Sequence, residues 1–333
     1  MEITNKRFEY IDFIKLIGLI GIMVAHVDAP DWALMVRAFD VPLMVMLSAY
    51  LMRYSYDRHC LSPDFKDSSF IMSRILRLLV PTHIFLVFLF VMYAVRGHIF
   101  PLDFYIFTFL CSLYGMAYVW IILIYIYTGI CTPIFRKFSR FKGFSVIILL
   151  LYVLYEIMYY KGILVDSRLF VNTFYYFIPY GAVAYLGFVY PAISKRSKVI
   201  IASVSALIFA GIAIYIRVAT GHFERVSIAT FPPRIYYLSY GIAVSYALMI
   251  IFETLDLSVL YKSRFVRFVS DRSLWIYLWH IFALAVYDQT VLFGFWYLEL
   301  AAVFFSSCLI AFIQSIIVKK LRQKTELKFL KYL

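Results

Sequence analysis

Long apolar runs recur along the whole chain, separated by short polar connections. A spanning helix needs about 17–25 mostly apolar residues. Ten runs approach that length, at roughly 10–28, 38–53, 78–95, 116–135, 143–160, 171–190, 198–217, 234–252, 271–289 and 296–318. The second is short, and Pro42 near its start predicts a break or a tilt there. The stretch 102–114 is apolar but too short for a comfortable crossing. It reads as an interfacial or re-entrant helix, with an eleventh span as the alternative. No internal repeat links the two halves, which weakens a transporter built from inverted repeats. The pattern therefore predicts an all-α fold, a polytopic transmembrane helix bundle with about ten spanning helices.

Composition narrows the picture by excluding a soluble domain. Hydrophobic residues make up 64% of the chain and charged residues 15%, with a mean hydropathy of +0.86. Soluble domains lie nearer to about 45–50% and about 25%. The aromatic share of 20% suits interfacial belts and packed helix faces.

A net charge of +13 on a soluble protein would raise the question of nucleic acid. In a membrane protein, positive charge collects on cytoplasmic loops, so the expected partner is the lipid bilayer and no nucleic acid. With the N-terminus inside, ten spans put Lys6, Arg7, Arg53, Arg58, Lys66, Arg74, Arg77 and the basic clusters at 136–142, 195–198 and 262–267 on the inner side. The basic tail KKLRQKTELKFLKYL joins them as an amphipathic segment for the inner leaflet. Only Arg37, Arg96, Lys161, Arg168, Arg217, Arg225 and Arg234 fall outside. This bias predicts cytoplasmic N- and C-termini, and an extra span at 102–114 would invert the later loops. The first run follows basic residues but lacks a small-x-small cleavage site, so it reads as an uncleaved helix. Cys60, Cys111, Cys131 and Cys308 show no metal-type spacing, and no metal site is expected.

Polar residues inside the apolar runs carry the functional signal. The first run, YIDFIKLIGLIGIMVAHV, holds Asp12, Lys15 and His26. At about 1.5 Å per residue, His26 stands roughly 16 Å along the axis from Lys15, about half of a hydrocarbon core. An ionisable residue at that depth points to function by default, while Asp12 and Lys15 also suit a snorkelling ion pair at the interface. In the second run, Ser48 and Tyr50 are polar groups that close packing also explains. SRILRLLVP places Arg74 and Arg77 at the inner mouth of the third helix, with Lys66 near by. Paired arginines suit a phosphorylated donor from the cytosol, since Arg pairs bidentately with phosphate. ATFPPRIYYLSYG sets Arg234 ahead of Tyr236, Tyr237 and Tyr240, either an aromatic belt or a sugar-facing surface. SLWIYLWHIF carries Tyr277 and His280 near mid-membrane, and His83 lies near the inner end of the third helix. The histidines form no metal motif such as HExxH.

Taken together, these motifs resemble acyltransferase family 3, the integral membrane sugar O-acyltransferases. Asp-x-x-Lys with a histidine eleven residues on, DVPLMVMLSAYLM, SRILRLLVP and WIYLWHIF follow that family's order, and FPPRIYYLSYG is similar to the fucose O-acetylase type. Lys15 stands where many members have Arg, Ala49 replaces a usual Gly, and Arg74 with Arg77 is a shifted version of an Arg-x-x-x-Arg pair. The resemblance implies one acyltransferase domain over 1–333. It implies transfer of acetyl from acetyl-CoA to a hydroxyl of a cell-surface polysaccharide or lipid-linked sugar, at a bacterial inner or plasma membrane. It implies no permanently bound cofactor. His26 is then the expected base or acyl carrier, with Asp12 as a second catalytic candidate. Lys15, Arg74 and Arg77 are expected to hold the donor, and Ser48, Tyr50, Arg234, Tyr237 and His280 the acceptor. A transporter or flippase for an anionic or sugar-lipid substrate is the competing expectation.

Overall fold

The computed structural model describes residues 8–287 and 294–324. Among these residues every regular element is helical. Ten long helices follow one another: α1 Glu9–Val24, α2 Asp40–His59, α3 Asp67–Val95, α4 Trp120–Phe138, α5 Lys142–Tyr160, α6 Tyr176–Val189, α7 Lys195–Thr220, α8 Ile235–Thr254, α9 Ser273–Tyr287 and α10 Trp296–Lys324. Each of the ten expected runs finds its helix, so the protein is an all-α polytopic bundle. Lys6, Arg7, positions 288–289 of the ninth run and the tail beyond 324 lie outside the described residues.

Among the described residues, 7 helices are long and apolar enough to cross a membrane, α2 counting together with the short helix Asp31–Val36 that leads into it. α1, α6 and α9 are shorter, with 16, 14 and 15 residues. Flanking turns extend two of them. α1 gains a turn through Ala25 and His26, whose amides donate to Ile22 and Met23. α6 continues a helical path begun at Arg168–Phe170 and carried by the π-helical turn Val171–Tyr175.

The alternative of an eleventh span falls away, and three expectations change. The stretch 102–114 holds only the helix Leu102–Phe109, whose 8 residues rise about 12 Å, so it does not span. Pro42 does not break α2. It lies in the first turn, where a missing N–H is not needed, and the break falls earlier, at the 3-10 turn Arg37–Phe39. The third helix starts at Asp67 rather than near 78. Arg74 and Arg77 are thus inside the helix, with their apolar stems along it. His83 Nε2 donates to the Phe109 carbonyl at 2.9 Å, away from the inner end where the sequence suggested it.

The helix α2 is the hub. It packs against α1, α4, α6 and α8, and most of its first half is buried. Glycine permits two of these contacts. A Cβ on Gly187 of α6 would lie 2.3 Å from the Met46 carbonyl oxygen, and one on Gly241 of α8 would lie 2.5 Å from Pro42 Cγ. In lipid there is little hydrophobic drive between helices, so such backbone approach and van der Waals packing hold the bundle. Successive helices alternate in direction. The start of α1, the end of α2 and the start of α3 share one end, here the basic end. His26, Asp40 and Tyr118 share the other, the histidine end.

Candidate active site

At the histidine end, α1 stops at Val24 and the chain makes one further turn before Pro30 begins the helix Asp31–Val36. His26 sits on that turn with part of its surface exposed. Its Nδ1 lies 3.0 Å from Nε2 of His280 on α9. The two rings stack at 27°, with centroids 5.1 Å apart. His280 is fully buried, and its Nδ1 faces the carbonyl oxygen of Tyr277, one turn back on the same helix. Tyr118 packs edge-on to His26 with centroids 4.8 Å apart. The tight loop after Leu102–Phe109 delivers it: Met116 N donates to Thr108 Oγ1, and Gly115 allows the backbone to touch Thr108. The Tyr277 hydroxyl then donates to the Tyr118 carbonyl, tying α9 to this loop.

Beside the pair, Arg37 donates to Asp40 at 2.8 Å. Asp40 is 1% exposed and also accepts the Val41 amide at the start of α2. A negative side chain there suits the positive end of the helix dipole. Gly21 makes room for it, since a Cβ there would meet Asp40 Cβ at 3.0 Å.

At the basic end lies a cavity of about 1250 Å³. Ligand pockets commonly hold about 300–1,000 Å³, so this one takes a large or extended molecule. Lys15, Arg58, Arg74, Arg77, Arg136 and Arg267 line it, against Asp12, Asp57 and Asp271. Arg136 is neutralised by Asp57 at 2.6 Å. Arg74 donates to Ser55 Oγ at 2.5 Å and lies over the Phe70 ring, while its buried Nε has no hydrogen-bond partner among the described residues. Farther in, the lining turns apolar through Leu19, Ile22, Leu47, Leu51, Leu78 and Ile121, and it ends at Tyr125 and Tyr277. Tyr277 therefore forms the wall between this cavity and the histidine pair.

The structure sorts the residues singled out in the sequence. It brings His26 and His280 together, and it gathers Lys15, Arg74 and Arg77 around one cavity. Asp12 does not join His26. Helical rise separates them by about 20 Å, and Asp12 instead accepts from Ser270 Oγ while Lys15 donates to the Ser270 carbonyl at 2.7 Å. Both residues thus dock α1 on the helix Arg264–Asp271. Ser48 lines the cavity, and Tyr50 bonds Tyr10 at 3.0 Å within an aromatic group of Phe8, Tyr54 and Tyr190. Neither stands at the histidine pair. Tyr237 is buried, facing Tyr180 and within electrostatic reach of Asp40. Arg234 is engaged elsewhere: Glu156 accepts from it at 2.7 Å, and it covers the Tyr159 ring at 4.2 Å. Sequence reasoning missed Tyr118, the Arg37–Asp40 pair and the cavity roles of Arg58, Arg136 and Arg267. Only Arg37 and Asp40 left a local signal, as opposite charges three apart inside an apolar run.

The fold and site together define a polytopic membrane protein with a deep basic cavity below an imidazole pair. The chain belongs to acyltransferase family 3, described as an acyltransferase domain, which it matches over residues 8–319. It is a multi-pass membrane acyltransferase. No curated protein and no solved structure matches it.

Proposed function

We propose that this protein is an O-acetyltransferase, moving acetyl from acetyl-CoA at the basic end to a sugar hydroxyl at the histidine end. The observation that carries this reading is the cavity itself. It is lined by guanidinium groups at one end and apolar side chains beyond them, and it reaches Tyr277, whose carbonyl touches His280 and through it His26. A nucleotide phosphate end suits the arginines, above all the free Nε of Arg74. An extended pantetheine arm suits the apolar throat, and the thioester then points at Tyr277.

In this reading His26 takes the proton of the acceptor hydroxyl, and the hydroxyl oxygen attacks the thioester carbonyl. The tetrahedral intermediate collapses, the sulfur of CoA leaves, and it recovers the proton from His26. Arg37, whose charge reaches His26, is the cation that stabilises the oxyanion. Partial exposure of His26 admits the acceptor from its own side of the membrane. The basic end is cytoplasmic, in line with the charge bias of the loops. The acceptor is a cell-surface polysaccharide or lipid-linked sugar, as in the fucose O-acetylase type, and the membrane is a bacterial inner membrane.

The test supplies membranes containing the protein with acetyl-labelled acetyl-CoA and isolated cell-surface polysaccharide. Base-labile label on the carbohydrate is expected. Unmodified carbohydrate, with substrate moved across sealed vesicles, would instead favour a transporter.

A further inference from the structure

The geometry points to His280 as the positioning residue that decides which nitrogen of His26 reacts. This rests on His26 acting as the base. The Tyr277 carbonyl oxygen can only accept, so His280 Nδ1, which faces it, carries a hydrogen. A neutral His280 then has a bare Nε2. That atom lies 3.0 Å from His26 Nδ1, so His26 Nδ1 is the donor in this bond. A neutral His26 with hydrogen on Nδ1 has its lone pair on Nε2. The two imidazoles thus donate one way, His26 to His280 and His280 to the Tyr277 carbonyl, and the free end of this chain is the base.

The same chain handles charge during the reaction. When the acceptor hydroxyl gives its proton to His26 Nε2, His26 becomes an imidazolium. Its Nδ1 proton can cross to His280 Nε2, which moves the positive charge onto His280. His280 then has hydrogen on both nitrogens, and its bond to the Tyr277 carbonyl strengthens. The shift reverses when the leaving sulfur of CoA takes the proton back from His26 Nε2, so the pair ends as it began. In a serine hydrolase triad a carboxylate does the orienting. Here a neutral imidazole does so in a site that is fully buried at His280, without placing a permanent negative charge there. Tyr277 is the fixed point of the chain: its carbonyl orients His280, its hydroxyl is anchored at Tyr118, and its ring walls the donor cavity.

A packing role for His280 would need only its shape, so the test reads the position of hydrogens and the effect of side-chain reach. The full-length protein, labelled with ¹⁵N-histidine in lipid, is studied by nitrogen NMR, with His26 assigned by the signal lost in His26→Ala. Kinetics follow for His280→Asn and His280→Gln. The Asn amide reaches the Nδ1 position, so it keeps the Tyr277 contact and loses His26. The Gln amide reaches the Nε2 position, where its oxygen accepts from His26 Nδ1. The expected result is hydrogen on Nδ1 of wild-type His26. It includes a fall in kcat of about 100-fold in His280→Asn, and a return to within about tenfold of wild type in His280→Gln. KM for acetyl-CoA should stay within about twofold in both. Hydrogen on Nε2 of wild-type His26 would overturn the assignment, as would unchanged kcat in His280→Asn. Should the Asn variant not insert, the wild-type tautomer and the Gln variant decide the matter. Should the wild type transfer no acetyl group, the proposed function fails, while the tautomer still tells whether His280 orients His26.

Discussion

The two ends of the bundle solve different problems with different physics. At the basic end, cationic side chains line a cavity of about 1250 Å³, and Arg58, Arg77 and Arg267 are exposed. Their long stems give a broad positive field with little fixed geometry, which suits capture of a phosphorylated molecule. At the histidine end, two rings meet at 3.0 Å, one fully buried, with both ring nitrogens of His280 facing partners. That is a small, rigid arrangement, which suits proton transfer. The difference teaches that replacements at the first end should act mainly on binding, and replacements at the second on turnover.

The largest effect expected follows from His26→Ala. Transfer should fall by about 10³-fold, with thermal unfolding of the detergent-purified protein unchanged, because His26 is only partly buried and lies beyond the end of α1. A variant of normal activity would remove the histidine end from the chemistry. Arg74→Ala comes next. It removes a half-buried cation from the cavity wall, and KM for acetyl-CoA should rise about tenfold, or about 1.4 kcal/mol, with kcat within about twofold. A loss confined to kcat would erase the distinction between the ends.

Cys60 sharpens the comparison without altering activity. It lines the cavity and is exposed, whereas Cys111, Cys131 and Cys308 are buried. Maleimide should label Cys60 alone among the four, and acetyl-CoA should slow that labelling. Desolvation, with help from the Asp57 and Asp67 carboxylates, pushes the Cys60 thiol above its ordinary value of 9.0. The reactive thiolate is therefore scarce at neutral pH. Labelling should quicken by about tenfold per pH unit up to that raised value. Labelling that acetyl-CoA leaves untouched would place the donor elsewhere.

The smallest effect concerns Arg234. Its partner is Glu156 on α5, and both side chains are partly buried. Arg234→Gln should lower stability by about 1 kcal/mol and leave KM for the acceptor within about twofold. A tenfold rise in that KM would return Arg234 to the acceptor site, where the sequence first suggested it.

Much of the architecture was legible because crossing a membrane is a local demand. Each span must satisfy its own backbone and carry its own apolar surface, so hydropathy along the chain marks it. The site was only half legible. His26 stood out as an ionisable group deep in an apolar run, and His280 as a second one. Nothing local said that they touch. Nor did anything local show that Arg58, Arg136 and Arg267, read as loop charges, share a cavity with Lys15. Asp12 misled for the same reason: its spacing to Lys15 on one helix was visible, but its true neighbour, Ser270, comes from a helix 258 positions away.

By itself, then, the sequence determined the helices, the bias of basic residues to one set of loops and the order of motifs that marks the family. These depend on composition over a few turns of helix. The tertiary structure decided which polar groups meet. His26 and His280 lie 254 positions apart, and their contact depends on how α9 docks beside α1 and on where Tyr277 is anchored. Such contacts come from backbone approach at small residues and side-chain packing between distant segments, and hydropathy does not record them.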